Sequence, residues 1–145
     1  MSIIPSPEAV EAAKHAVALV VDDEAHVRKM LVELLEQAGC TCIEAEDGEQ
    51  ALTMVAQRRP DLGVLDINLP GMSGAELAWR IREHDPEMPL VALSGYLKDW
   101  DRDDLKDLGF DRVFPKPMDC DAFVSFCKEV GDRSFTRGPH DVDGQ

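Results

Sequence analysis

Short, continuously apolar runs alternate with amphipathic segments along most of this 145-residue chain. The first run, AVALVV at residues 16–21, is rich in β-branched residues, as expected for a parallel strand buried on both faces. A helical pattern follows at once, with apolar residues at i, i+3, i+4, i+7 and i+8 from Val27 and a stop at Gly39. The same change of period recurs downstream. It predicts a parallel sheet covered by helices on both faces, with right-handed crossovers.

Five strands and five helices are predicted in alternation. The further strands are expected at residues 40–45, 62–65, 90–93 and 113–114. The helices are expected around residues 27–35, 51–55, 75–81, 97–108 and 123–130. The 97–108 helix has the weakest pattern, because it is crowded with Asp and Lys and has few apolar residues. We predict an α/β fold of the flavodoxin-like, doubly wound (βα)5 type, with a five-stranded parallel sheet in the order 2-1-3-4-5.

The length of the chain suits one domain with short extensions. We predict an N-terminal extension at residues 1–14 and a folded domain at residues 15–131. The residues from 132 to 145 are polar and contain Asp, Arg, Gly and Pro, so we expect a disordered tail there.

A net charge of −14 disfavours direct binding to nucleic acid or to an anionic membrane surface. The chain has no apolar run near the ~20 residues of a membrane span. Its first residues lack the basic and apolar regions of a signal peptide. We therefore expect a cytoplasmic protein that contacts neither membrane nor nucleic acid.

The four cysteines have no spacing typical of a redox or zinc site, which would favour Cys-x-x-Cys with further ligands. They are Cys40, Cys42, Cys120 and Cys127. We expect buried or half-buried thiols.

Polar residues stand at the carboxyl ends of the predicted strands. Asp22 and Asp23 follow the first strand, Asp66 the third, Ser94 the fourth and Lys116 the fifth. In the doubly wound order, the first and third strands are neighbours at the switch point where ligands bind. The pattern therefore predicts three carboxylates in one site, with a hydroxyl and an ammonium beside them.

Such a set of groups indicates phosphoryl chemistry. Three ionised carboxylates repel one another unless a cation is present, and Mg²⁺ suits oxygen ligands and phosphate. Carboxylate, Mg²⁺, ammonium and hydroxyl are the parts that position and neutralise a transferring phosphoryl group. Asp66 could itself be the nucleophile and form an acyl phosphate. Each residue alone has an ordinary explanation, such as a helix cap, but five at strand ends favour a site.

These residues resemble the receiver domain of bacterial two-component response regulators. The resemblance extends from about residue 17 to residue 130. It rests on the Asp22-Asp23 pair, on Asp66 followed by Pro70 and Gly74, and on the motifs ALSGY at 92–96 and FPKP at 114–117.

The resemblance implies a Mg²⁺-dependent phosphoacceptor. Asp66 would receive a phosphoryl group from a histidine kinase or a histidine phosphotransfer protein. Asp23, Asp66 and the backbone carbonyl of Asn68 would hold Mg²⁺. Asp22 would contact the ion through water.

The same resemblance assigns roles at the last two strand ends. Ser94 and Lys116 would bind the phosphoryl oxygens, and a cis peptide bond would precede Pro117. The family usually has an aromatic residue or His at the position of Val113, as the side chain that rotates on activation. Either Tyr96 takes over part of that role or the switch is muted, so Ser94, Tyr96 and Val113 are the candidate switch residues. Pro115 directly before the lysine is also unusual.

The implied function is to change protein contacts on phosphorylation, with an unidentified downstream protein and room for a phosphorylation-dependent dimer. Such a protein catalyses only its own phosphorylation and dephosphorylation. We expect a stand-alone receiver, although a receiver fragment of a hybrid histidine kinase would have the same features. A pseudo-receiver is disfavoured because all the phosphotransfer residues are present.

A phosphatase of the haloacid-dehalogenase type also uses an Asp nucleophile and Mg²⁺. It needs a second Asp two residues after the nucleophile, where this chain has Asn68. That difference argues against the enzyme.

Overall fold

A computed structural model describes residues 16–95, 106–115 and 119–137. The strands in these ranges are β1 (Val17–Val21), β2 (Thr41–Ala45), β3 (Leu62–Asp66), β4 (Leu90–Ser94) and β5 (Arg112–Pro115). The helices are α1 (Ala25–Gln37), α2 (Gly48–Gln57), α3 (Gly74–His84) and α4 (Cys120–Arg137).

The five strands form one parallel sheet in the order β2-β1-β3-β4-β5. This confirms the predicted doubly wound topology. In the register of the sheet, Val21 lies opposite Ala45 on one side and Leu65 on the other. The carboxyl ends of β1 and β3 are therefore adjacent, and the residues that follow them emerge at the same edge.

Alternate residues of the strands point into two separate hydrophobic clusters. Leu19 and Val21 of β1 pack in the cluster that contains α2 and α3. Ala18 and Val20 pack in the opposite cluster, which contains α1 and α4. Because both faces of β1 are covered, every position of the strand is apolar, which explains the continuous run in the sequence.

Three of the described helices begin at side-chain caps. The side chain of Asp47 accepts a hydrogen bond from the Gln50 N–H at the start of α2, and that of Ser73 accepts one from Glu76 at the start of α3. At the start of α4, the side chain of Asp119 accepts a hydrogen bond from the Ala122 N–H at 3.1 Å. Such caps satisfy backbone donors of the first turn. Helix α1 differs, because its N-cap residue Glu24 makes no side-chain cap hydrogen bond.

The amino edge of the sheet is closed by Arg82 of α3. Its guanidinium donates hydrogen bonds to the backbone carbonyls of Pro86, Met88 and Gly109. It also lies 3.4 Å from the carboxylate of Asp111, which accepts the Leu90 N–H at 2.8 Å. One side chain thus joins the end of α3 to the segments that enter β4 and β5.

Helix α4 continues to Arg137, although we expected a disordered tail from residue 132. Gly131 lies inside this helix. A glycine inside a helix costs only about 1 kcal/mol relative to alanine, which is too little to end a helix by itself.

Part of the predicted 97–108 helix is described. Residues 106 and 107 are helical, and a turn follows that ends at Gly109 with φ of 102°. Residues 96–105 and the predicted extension at residues 1–14 lie outside the described residues. Among the helices that are described, none is long and apolar enough to cross a membrane.

Candidate functional site

Three carboxylates meet at the carboxyl edge of the sheet, as the sequence predicts. One oxygen each from Asp22, Asp23 and Asp66 all lie within 4.8 Å of one another. Asp22 is completely buried and Asp66 is 5% exposed, whereas Asp23 is exposed to solvent. Carboxylates this close repel one another, and a hard divalent cation relieves that repulsion with the oxygen ligands it prefers. The donor set therefore fits Mg²⁺.

Asp22 is fixed through its backbone and its side chain. Its N–H donates to the carbonyl of Ala45 at 3.2 Å, and its Oδ1 accepts the Glu24 N–H at 2.9 Å. Its own carbonyl accepts a hydrogen bond from Nη1 of Arg28 at 2.8 Å. The loop between β1 and α1 is thus held against β2 and against the first turn of the helix.

Asp66 is the last residue of β3 and is held by the loop that follows it. Its Oδ1 accepts the Asn68 N–H at 2.9 Å. The next residue, Ile67, donates its N–H to the Leu93 carbonyl at 3.0 Å, which extends the pairing of β3 with β4 past Asp66. The carboxylate of Asp66 is therefore held by the Asn68 N–H, and the backbone that carries it is held by the hydrogen bond between Ile67 and Leu93.

Gly74 packs directly against this backbone at the start of α3. A Cβ atom at Gly74 would lie 2.3 Å from the carbonyl oxygen of Asp66 and 2.7 Å from Cα of Ile67. The Gly74 N–H donates to the Ile67 carbonyl at 3.0 Å. The loop can close this tightly on Asp66 only because residue 74 has no side chain.

Ser94 ends β4 beside Asp66 and is completely buried. It lies opposite Pro115 in the register. Two positions earlier, Ala92 is paired with Val113, and Val113 is 6% exposed. Lys116, Tyr96 and Pro117 lie outside the described residues. The structure thus brings together the three aspartates and places Ser94 at the adjacent strand end.

The thiols are mostly as expected. Cys40 and Cys127 are buried and Cys42 is half-buried. Burial raises the pKa of Cys40 to about 11, with a smaller contribution from the charge of Asp61. Cys120 is exposed, so the expectation of a buried or half-buried thiol is wrong there. It is the first residue of α4.

Arg28 received no role from the sequence, yet its side chain holds the backbone of Asp22. A signal was present. Arg28 is the fourth residue of α1, and a cation near a helix N-terminus opposes the helix dipole. A basic residue in that position, six residues after a predicted metal ligand, indicates a nearby acceptor.

A family profile described as the response regulator receiver domain matches residues 18–128 of the chain. The phosphate regulon transcriptional regulatory protein PhoB of Pseudomonas aeruginosa is 37% identical over 127 residues. That match covers 86% of this chain and 54% of the relative, so the chain spans about half the length of that protein. The sporulation initiation phosphotransferase F of Bacillus subtilis is 35% identical over 103 residues, covering 71% of this chain and 83% of the relative.

Solved structures are similar as well. The receiver domain of NtrX from Brucella abortus superposes with a TM-score of 0.73 at 29% identity, covering 79% of this chain and 98% of that one. The chemotaxis protein CheY4 of Vibrio cholerae gives a TM-score of 0.72 at 26% identity, with the same two coverages. Fold, acidic site and relatives agree, and this chain belongs to the response regulator receiver domain family.

Proposed function

We propose that this chain is a Mg²⁺-dependent phosphoacceptor in a two-component phosphorelay, with Asp66 as the residue that is phosphorylated. The observation that carries the proposal is the cluster of Asp22, Asp23 and Asp66 oxygens within 4.8 Å at the carboxyl edge of the sheet. Asp66 belongs to the central strand of that sheet and ends it. It is the acid on which the restraints from Asn68 and Gly74 converge.

The proposed cation site uses oxygen donors only. Asp23, Asp66 and the backbone carbonyl of Asn68 would hold Mg²⁺, with Asp22 contacting it through water. When bound, the ion would neutralise charge on the carboxylates and on the phosphoryl oxygens. The buried Asp22 is already tied to the Glu24 N–H, while Asp23 is exposed and accessible from solvent.

In the proposed reaction, a carboxylate oxygen of Asp66 attacks the phosphorus of a phosphohistidine. An O–P bond forms, the N–P bond of the donor breaks, and the imidazole of the donor keeps the electron pair and takes up a proton. Ser94 and Lys116 would bind the phosphoryl oxygens. The protein supplies position and charge, which is most of what phosphoryl transfer requires.

The proposed partners are a histidine kinase or a histidine phosphotransfer protein upstream and a protein target downstream. Ser94, Tyr96 and Val113 are the proposed switch residues. No observation favours a phosphatase of the haloacid-dehalogenase type. Asn68 offers an amide, which cannot act as the general acid and base of that reaction.

The proposal predicts that Asp66 is the only phosphoacceptor in the chain. Wild-type protein incubated with acetyl phosphate and Mg²⁺ should gain the mass of one phosphoryl group, measured on the intact protein. Asp66→Asn should gain none, because an amide nitrogen and a neutral oxygen cannot replace the nucleophilic carboxylate.

Asp121→Asn is a matched control, because Asp121 is an exposed acid in the first turn of α4. It should be phosphorylated like the wild type. A phosphoryl mass on Asp66→Asn would show that another residue is the acceptor.

A further inference from the structure

Arg28 is connected directly to a member of the acidic cluster. Its Nη1 donates to the backbone carbonyl of Asp22 at 2.8 Å, and its Nε lies 3.3 Å from Oε1 of Glu44 on β2. The side chain is 14% exposed, whereas that of Glu44 is 49% exposed. The guanidinium therefore lies mostly buried between the Asp22 loop, helix α1 and strand β2.

We infer that Arg28 is a positioning residue for the cation site, acting through Asp22; the inference rests on the proposed function. Arg28 fixes the carbonyl of Asp22, and the peptide that contains this carbonyl also contains the nitrogen of Asp23. Two of the three carboxylates are thus carried by the segment that Arg28 holds. Its contacts preset their separation before a cation arrives.

Arg28 lies where its charge is unfavourable for helix α1, so its contacts with the site must offset a loss of stability. A cation in the first turn of α1 opposes the helix dipole, and α1 also begins without a side-chain cap. The contacts that offset this cost are the Asp22 carbonyl and the Glu44 carboxylate. Both contacts hold residues at the carboxyl edge of the sheet, and neither is a hydrogen bond to a backbone group of α1.

The charge of Arg28 and its position act on Mg²⁺ affinity with opposite signs. A fixed positive charge beside the site repels a divalent cation, so its removal alone would tighten Mg²⁺ binding. Loss of the hydrogen bond would let the Asp22 loop move and would weaken binding. If positioning dominates, removing the side chain weakens the site although the local positive charge has decreased.

Lysine cannot take over both contacts. Arg28 uses two different nitrogens of a planar fork, whereas lysine presents one ammonium on a flexible stem. Arg28→Lys keeps the charge and loses the simultaneous contact to Asp22 and Glu44. Arg28→Gln loses the charge as well. The pair of variants separates the two effects.

The test is a calorimetric titration of each full-length variant with Mg²⁺. We expect the Kd to rise about tenfold in both Arg28→Lys and Arg28→Gln, as is common when a residue that orients a metal ligand is lost. Arg80→Gln is the matched control, because it removes an exposed arginine whose ion pair, with Glu76, lies within α3. Its Kd should equal that of the wild type. Asp23→Ala serves as the reference for loss of a ligand.

A second measurement separates positioning from general stability. The unfolding temperature of each variant is measured with and without Mg²⁺. A purely structural role would lower both temperatures equally and leave the Mg²⁺-induced rise unchanged, which would overturn the inference. A positioning role reduces that rise in both Arg28 variants. If Arg28→Gln does not fold, Arg28→Lys decides.

The outcomes also separate the inference from the proposed function. If the wild type binds Mg²⁺ and the Arg28 variants bind it equally or more tightly, the inference fails and the metal site stands. If the wild type and Asp23→Ala bind Mg²⁺ alike, the proposed metal site itself fails.

Discussion

Gly74 begins α3 against the backbone of Asp66, and this contact sets how far the loop between them can open. The loop turns at Gly71, where φ is 72°, and its last residue, Ser73, caps the helix. A side chain at position 74 would therefore clash with the backbone carbonyl of Asp66. The orientation of the proposed phosphoacceptor depends on this close approach.

We predict that Gly74→Ala destabilises the fold by about 1–3 kcal/mol, the usual range for an added methyl group that has no space. The added Cβ would displace the backbone of Asp66, so phosphorylation by acetyl phosphate should also slow. Urea unfolding and intact mass measure the two effects.

Gly95→Ala is the control for this prediction. A Cβ there would meet nothing within 4 Å, and its φ is not positive. Its free energy of unfolding should stay near that of the wild type. Equal stability of the two variants would show that the contact at Gly74 is unimportant.

The individual site residues differ in how far the sequence could predict them. Asp22, Asp23 and Asp66 follow apolar runs, and the sheet order then brings strand ends together, so their clustering was predictable. The role of Arg28 was signalled only by a cation near a helix N-terminus, and the tight approach of Gly74 was not predicted, because both contacts depend on how loops pack against one another. Such contacts leave no periodic signal in a sequence.

At the scale of elements, β2 and α4 bring three thiols to one side of the sheet. Cys40 and Cys42 are two residues apart and share one face of the β2 segment, and they pack in the same cluster as Cys127 of α4. Burial raises the pKa of Cys42 to about 12, with smaller contributions from Cys40, Glu36 and Glu44. Burial likewise raises the pKa of Cys127. These thiols stay protonated in the folded state well above neutral pH.

We predict that this thiol cluster makes the fold lose stability between about pH 9 and pH 12, from the ordinary thiol pKa to the pKa of Cys42. The unfolded chain releases thiol protons near the ordinary pKa of 9.0, whereas Cys40 keeps its proton to about 11. The folded state then binds more protons than the unfolded state, so the free energy of unfolding falls as pH rises. The slope is at most about 1.4 kcal/mol per pH unit for each thiol. Below pH 9 the contribution is fully present.

Urea unfolding across this pH range measures the effect. A Cys40→Ala, Cys42→Ala double variant should show a smaller alkaline loss than the wild type, and Cys120→Ala should behave like the wild type. An identical pH slope in the double variant would contradict the prediction.

The elements themselves were largely predictable. Continuous apolar runs predicted β1, β3 and β4, because a sheet covered on both faces leaves no polar position along a central strand. The outer strands β2 and β5 contain polar residues and were predicted from shorter segments. The end of α4 at Arg137 was not predictable from its apolar pattern, which ends at residue 130, since helix ends depend on packing as well as on local propensity. The 97–108 segment has few apolar residues, so its pattern carried less information than the others.

In the whole molecule, the functional residues lie at the carboxyl edge of the sheet, and a structural contact network lies at the amino edge. The carboxyl edge carries the aspartates, Ser94 and the contacts of Arg28. The amino edge carries the contacts of Arg82, which closes the entries to β4 and β5. A phosphoryl group would add roughly −1.5 to −2 charge at the first edge of a chain that already has a net charge of −14.

We predict that activation is read mainly from residues 94–108. New acceptor oxygens on Asp66 should attract the Ser94 hydroxyl and the Lys116 ammonium. Val113 is small and β-branched, so it cannot signal by a large rotation. Hydrogen exchange with beryllofluoride, a phosphoryl mimic, should change protection across 94–108.

Asp66→Asn is the control in this experiment, because it lacks the carboxylate that the mimic binds. It should show no change. Altered protection confined to α1 and α2 in the wild type, with 94–108 unchanged, would contradict the prediction.

The carbonyl contacts of Arg82 have a mechanical consequence. Gly109 directly follows the 94–108 stretch, and its carbonyl accepts a hydrogen bond from the same guanidinium as those of Pro86 and Met88. A displacement that starts at Ser94 would therefore be resisted at Gly109, which Arg82 holds by a hydrogen bond, before it reaches β5. We expect the amplitude of this displacement to decrease along the chain from Ser94 to Gly109. A binding partner that contacts the half of the stretch nearest Ser94 would then distinguish the phosphorylated state from the unphosphorylated state best.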